Sequence, residues 1–389
     1  MSRLKFGTFL APIHTPGHNP TLLLQRDLEL VQLLERLGYD EAWFGEHHSA
    51  GSEIYASPEI MIAAAGERTS RIKLGTGVTS VSYHNPLWAA ERMVMLDHLT
   101  HGRVLFGLGP GSLPTDAAML GLSQIDTREL LAENTDIIMR LLRGETVSAK
   151  TRTHTLVDAC IQMAPYSSPL FDVVVAAIAS PTGARLAGHH GIGLLSIAAT
   201  LTADGFSALQ HHWGMLEEFA TLAGRSEDVD RSKWRLVGPF HIAETREQAY
   251  RDVEHGIEHW FKYLQHVAAF PQMAVEGENK REMIDFINNS GIGVIGTAEE
   301  ARAQVQRLVD QSGGFGTLLL QGHDWANPQA TARSYELFAQ DVMPFFQGQA
   351  QPLLDADERA RRVREGQADE HRKAVAHMTK KYEAELGRV

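Results

Sequence analysis

The chain has 389 residues, 43% of them hydrophobic and 22% charged, a balance that excludes disordered, collagen-like and coiled-coil proteins. A single cysteine, Cys160, excludes an intrachain disulfide or a cysteine-built metal cluster and suits a reducing compartment. The net charge of −12 argues against nucleic acid or an anionic membrane as partner. Met1–Phe6 shows no signal-like start and no apolar run reaches membrane length, so a cytoplasmic protein is expected.

Along the chain, short apolar runs alternate with segments of helical period. The first run, Lys5–Pro12, precedes Leu22–Leu24, Leu28, Val31, Leu33, Leu34 and Leu37 at helical spacing, ended by Gly38. Further runs are Tyr39–Glu46, Lys73–Val81, Arg103–Gly111, Asp172–Ile178, Ile192–Ala199, Trp234–Ala243 and Gly316–His323. Their nearly unbroken apolarity is that of parallel strands covered on both faces. Eight such βα units predict an α/β fold, a closed (β/α)8 TIM barrel, with an open doubly wound sheet as the alternative. Thr146–Ser168 reads as an inserted hairpin, and Pro271–Gly293, polar and glycine-containing, as a lid over the barrel mouth. The barrel domain is placed at residues 1–348 and a charged helical tail at 349–389. Ile60, Met61, Met93 and Met95 look exposed enough to suit a homodimer, with core burial as the other reading.

In a barrel, chemistry sits at the C-terminal ends of the strands. The second run ends in Glu46-His47-His48, whose adjacent histidines point different ways, so one can face the mouth and handle protons near neutral pH. Gly75 and Gly77 interrupt a β-branched strand, as at a bulge or beneath a flat ligand. Gly107-Leu108-Gly109-Pro110-Gly111-Ser112 superficially resembles a dinucleotide fingerprint. Pro110 breaks it and no clean helix start is expected after it, so it reads as a glycine-lined wall for a planar ring. Ser180-Pro181-Thr182-Gly183 reads as a helix N-terminus that either is simply capped or binds phosphate, with Arg185 adding charge. His255-Gly256-Ile257-Glu258-His259 matches H-x-x-E-H, but on a helix expected to point away from the mouth, and no metal is expected. His189-His190 and His211-His212 read as helix-surface or helix-end pairs.

In their order these motifs resemble the bacterial luciferase-like flavin-dependent monooxygenases, and within that family the limonene 1,2-monooxygenase type. The likeness runs from Phe6 to about Phe346. It rests on Trp43-x-x-Glu46-His47-His48, Gly75-Thr76-Gly77-Val78, His84-Asn85-Pro86, and Asp97-His98-Leu99-Thr100-x-Gly102-Arg103. It continues through Gly107-x-Gly109-Pro110-Gly111-Ser112-Leu113-Pro114-Thr115-Asp116 and Ala179-Ser180-Pro181-Thr182-Gly183 to Gly314-Phe315-Gly316-Thr317.

The resemblance implies a TIM barrel that holds reduced flavin and, through a C4a-(hydro)peroxyflavin, inserts one atom of O2 into a small, largely apolar organic substrate. It implies reduced FMN or FAD, supplied by diffusion from a separate NAD(P)H:flavin reductase. Under it His47 matches the catalytic-base histidine, and His48 lies beside the flavin. Thr76, Gly77 and Val78, with a non-prolyl cis peptide at Gly77–Val78, lie under the ring together with Gly109. Ser180, Pro181, Thr182 and Gly183 match the phosphate-binding turn. Bacterial luciferase carries a Cys-Arg pair where this chain has Gly109-Pro110, so that arginine's phosphate contact is absent and luminescence is not implied. The alternatives are an F420-dependent oxidoreductase of the same superfamily and a non-enzymatic flavin-binding barrel.

Overall fold

The computed structural model describes residues 3–178, 181–197, 203–268 and 279–387, without the side chains of 203–208 and Glu365. In chain order these form β1 (Lys5–Leu10), α1 (Pro20–Leu37), β2 (Glu41–Phe44), α2 (Pro58–Gly66), β3 (Lys73–Ser80), α3 (Pro86–Leu99) and β4 (Val104–Gly109). Next come α4 (Pro114–Met119), α5 (Gln124–Leu142), β5 (Val147–Lys150), β6 (Thr155–Ala159), β7 (Val173–Ala177), α6 (Thr182–His190), β8 (Gly193–Ser196) and α7 (Ala203–Leu222). The chain continues with β9 (Trp234–Ile242), α8 (Arg246–Val253), α9 (Ile257–His266), α10 (Lys280–Ser290), β10 (Val294–Gly296), α11 (Ala298–Ser312), β11 (Thr317–Gln321) and α12 (Pro328–Asp341).

Strands β1, β2, β3, β4, β7, β8, β9 and β11 pair in parallel, and the β8–β9 and β9–β11 ladders close them into a barrel. That closure removes the open-sheet alternative. Each of the eight apolar runs contains one barrel strand. Phe9, Trp43, Leu105, Val174, Leu195, Val237 and Leu319, one from each of seven strands, fill the interior, and Val78 of β3 packs against them. The glycines of β3 answer to those rings. A Cβ on Gly75 would stand 2.6 Å from the Trp43 indole, and one on Gly77 would stand 2.8 Å from Phe9. At the end of the barrel where strands begin, Arg235 is fully buried and holds Glu41 at 3.0 Å and Asp172 at 2.7 Å. Glu41 also accepts from Trp43 Nε1 at 2.9 Å, so its charge is matched on two sides.

Several expectations are corrected. Met61 and Met93 are buried, because they face the strands from α2 and α3; Ile60 and Met95 are the exposed pair, beside Trp88 and Leu99. Of Pro271–Gly293, residues 271–278 lie outside the described residues. Most of the remainder is helix α10, which buries Met283, Ile284 and Ile287 at helical spacing. The polar composition hid that stripe. A short strand, β10, was also missed; it pairs with Phe240–Ile242, the half of β9 that extends past the β11 ladder. A helix, α4, does start soon after the Gly107–Ser112 stretch, with Pro114 in its first turn. The H-x-x-E-H motif straddles the turn between α8 and α9, so its histidines do not share one helix. Gly256 in that turn leaves no room for a side chain: a Cβ would stand 1.9 Å from the Asp324 carbonyl. His190 ends α6, as one of the two readings had it, but is buried, and His212 within α7 is buried rather than on the helix surface.

Thr146–Ser168 contains the antiparallel hairpin β5–β6, as read from sequence. Met1–Met343 forms one compact unit and Pro344–Val389 another; the second contains α14 (Ala350–Arg362) and α15 (Arg364–Glu385), whereas α13 (Met343–Phe346) spans the boundary. No helix among the described residues is long and apolar enough to cross a membrane.

Removing one partner of a fully buried ion pair leaves an uncompensated charge, at a cost of ~3–5 kcal/mol. Arg235→Leu, which leaves the buried Glu41 without that cation, is therefore expected to lower stability by about that amount, read from the midpoint of urea unfolding at an unchanged slope.

Candidate active site

The site is built where β2, β3 and β4 end. Past Phe44, Gly45 N–H donates to the Leu10 carbonyl, carrying the chain across the end of β1 and placing Glu46 inside. Glu46 is 3% exposed and accepts from His48 Nε2 at 2.9 Å, His84 Nε2 at 2.8 Å and the Ser80 amide at 2.7 Å. Burial alone would raise its pKa, but the two histidines and the amide bring it down to about 2. The pull is mutual: the Glu46 hydrogen bond raises His48, and His84 rises for the same reason against its own burial.

His47 faces the other way. Its Nδ1 lies 3.1 Å from Asp116 Oδ2, and its Nε2 lies 3.3 Å from Glu53 Oε2. Burial disfavours its charge, yet Glu53 and Asp116 outweigh that and raise its pKa. Carboxylates at both ring nitrogens thus favour the charged form of the imidazole. Asp116 sits on α4 and also accepts from the His48 amide at 3.1 Å and Ser49 Oγ at 2.5 Å. Its own burial is overcome by His47 and Ser49, so its pKa is lowered. Burial raises the Glu53 carboxyl, against the pull of the His47 charge.

Thr79 Oγ1 and the Tyr83 hydroxyl, both near the C-terminal end of β3, are buried with no hydrogen-bond partner among the described residues. They are polar atoms waiting for a ligand, beside the His48 ring that packs edge-on against Tyr83. The peptide Gly77–Val78 is cis, as expected, and the β3–β4 register shifts between Thr76 and Thr79.

Other expected positions differ in what they do. The Thr76 hydroxyl is spent on β4, donating to the Gly107 carbonyl and accepting from its amide. Gly109 packs under Val78, which a Cβ would meet at 2.3 Å, so glycine is required for that close contact. Ser180 lies outside the described residues. Pro181 precedes α6, whose first turn, Thr182 and Gly183, has no side-chain cap among the described residues and stands just past the end of β7. Its Gly183 lets the helix close on the strand, a Cβ there meeting the Ala176 carbonyl at 2.2 Å. Arg185, three residues into α6, covers the Phe219 ring at 4.8 Å.

Sequence reasoning quoted Glu46, His84 and Asp116 only as motif letters, and it missed Glu53 and Tyr263. Asp116 could have been found from the Pro-Thr-Asp start of α4, which aims a first-turn carboxylate back at the strand ends. Glu53 has no periodic signal in its Ser- and Gly-rich loop. His259 was expected to point away from the mouth; it reaches the His14 carbonyl at 3.2 Å and Ser52 Oγ at 3.4 Å, against that same loop.

Residues 4–314 match the family model described as luciferase-like monooxygenase. A limonene 1,2-monooxygenase of Rhodococcus erythropolis is 45% identical over 98% of this chain and 97% of its own. The 4-hydroxyprotoasukamycin monooxygenase of Streptomyces nodosus subsp. asukaensis is 40% identical over 90% of this chain and 94% of its own. Among solved structures, the oxygenating constituent of 3,6-diketocamphane monooxygenase from Pseudomonas putida, in complex with FMN, shares the fold. Its TM-score is 0.71 at 22% identity, over 88% of this chain and 98% of that one. Barrel and strand-end histidines thus define a (β/α)8 oxidoreductase. The chain belongs to the luciferase-like monooxygenase family.

A group whose folded pKa is lowered stabilises fully above its unfolded value, and one whose folded pKa is raised stabilises fully below it. For Glu46 that floor is 4.5 and for His48 and His84 the ceiling is 6.5, so the cluster contributes most between those values. Glu46→Gln should cost roughly 1.5–3 kcal/mol there. The gap from wild type should shrink as pH rises through the raised histidine values. Denaturant unfolding near pH 5.5 and at pH 9 checks this.

Proposed function

We propose that the protein is the oxygenating half of a two-component flavin-dependent monooxygenase acting on a small, largely apolar organic molecule of the monocyclic terpene class. The observation that carries the reading is the nearly full-length identity to a limonene 1,2-monooxygenase. The structural relative described as an oxygenating constituent, with FMN, supports the division of labour.

The residues fit a flavin. Thr79 and Tyr83 offer unpartnered polar atoms to ring nitrogens or carbonyls, and the uncapped first turn of α6 at Thr182 and Gly183 suits a phosphate. Val78 and Gly109 form the apolar floor between them, and Ser180 and Pro181 lead into the phosphate turn. When bound, the reduced flavin supplies the electrons that activate O2 for insertion of one oxygen atom. His47 holds and delivers a proton at Nε2, His48 is held beside Tyr83 by Glu46, and Asp116 orients the His47 ring through Nδ1. The reductase reaches the reaction through diffusing FMN or FAD.

The purified chain with NADH alone should give no turnover. With an unrelated flavin reductase, FMN or FAD and ¹⁸O2, a terpene such as limonene should gain one labelled atom. NADH oxidation by the isolated chain, or product without O2, would overturn the reading. Under the same assay His47→Ala should lower coupled product by ~10²–10⁴, with hydrogen peroxide released in its place.

A further inference from the structure

Two rings at the strand ends are gripped at both nitrogens by carboxylates: His14 past β1, by Asp27 and Asp324, and His47, by Asp116 and Glu53. The two grips on His47 differ. Asp116 is fixed three ways, by His47, the His48 amide and Ser49, whereas the Glu53 contact is the longer, at 3.3 Å. The loop that carries Glu53 is nevertheless tied down. Ser52 accepts from the His14 amide at 3.2 Å, Tyr55 accepts from the His47 amide at 3.0 Å, and Tyr55 donates to Asp27 at 2.6 Å. From the far side α9 adds two side chains: His259 reaches Ser52 and the His14 carbonyl, and the buried Tyr263 hydroxyl faces the Glu53 carboxyl. A carboxylate held against one ring edge by three separate segments is built to act on that ring.

We propose that Glu53 is a positioning residue for His47, holding the imidazole charged and its Nε2–H aimed into the mouth until a ligand takes over that contact. The proposal rests on the monooxygenase reading only for what the proton is used on. The charged and titratable groups that face the ring are Glu46 and His48 at its own strand end, Asp116 on α4, and Glu53 in the loop. Behind Glu53 stand Tyr263 of α9 and His14 past β1. Only Glu53 changes in the test, so the others form a constant background.

The test is an NMR titration of the His47 ring in the flavin-free protein, assigned by difference against His47→Asn. Removing an opposite charge at this range lowers a histidine pKa by roughly 1–3 units. Glu53→Gln should therefore move the His47 midpoint down by about that interval, and Glu53→Asp, which keeps the charge but withdraws it, should fall between. In the reconstituted oxygenation assay the limb that falls with rising pH should move down by the same interval in Glu53→Gln. An unchanged midpoint in folded Glu53→Gln overturns the proposal. If that variant does not fold, an unchanged midpoint in Glu53→Asp does so. Because the titration needs no flavin, a shifted midpoint with no oxygenation would sink the functional reading and leave the clamp standing. Normal oxygenation with an unshifted midpoint would do the reverse.

Discussion

Glu46 is a buried carboxylate at the one place in the barrel where three strands give way to loops. A charge there is tolerated only because His48, His84 and the Ser80 amide converge on it. That requirement fixes the end of β2 against the end of β3, sets the direction of His48, and leaves His47 to point the opposite way. His47 then needs its own carboxylates, and Asp116 and Glu53 come from α4 and the β2 loop to meet it. The arrangement of charges at these strand ends is thus a consequence of placing one anion indoors.

The opposite end of the barrel solves the same problem differently. Arg235, Glu41 and Asp172 form a closed set of charges with Trp43 alongside, well away from the strand ends that bear histidines. Trp43 links the two ends. Its indole fills the interior, which demands glycine at Gly75, and its backbone leads through Phe44 to Glu46. The glycines of β3 are therefore owed to large rings packed inside the barrel, and those of β4 to the close approach of the Thr76 carbonyl to Gly107 and of Val78 to Gly109.

The eight strands were legible because parallel strands buried on both faces leave nearly unbroken apolar runs, as in Trp234–Ile242, where every residue is buried. The strand-end histidines were legible for the same reason: they sit immediately after such a run. Glu53 and Tyr263 were not, since their significance lies in a meeting of the β2 loop with α9 that no local spacing encodes. Helix α10 was obscured by its polar residues, and the H-x-x-E-H pattern misled because a four-residue spacing does not reveal that Gly256 turns the chain between two helices. The packing of Arg185 on Phe219 was not legible either, since it joins α6 to a residue of α7 that no local spacing marks.

The central claim is that this mouth receives a reduced flavin and lets it react with O2. An anaerobic titration of the purified chain with reduced FMN, reduced FAD and reduced F420, followed by rapid mixing with O2, tests it most directly. The account predicts saturable binding of reduced FMN or FAD, O2 consumption on mixing, and oxygen transfer when substrate is present. Binding of reduced F420 alone, with no reaction toward O2, would contradict it.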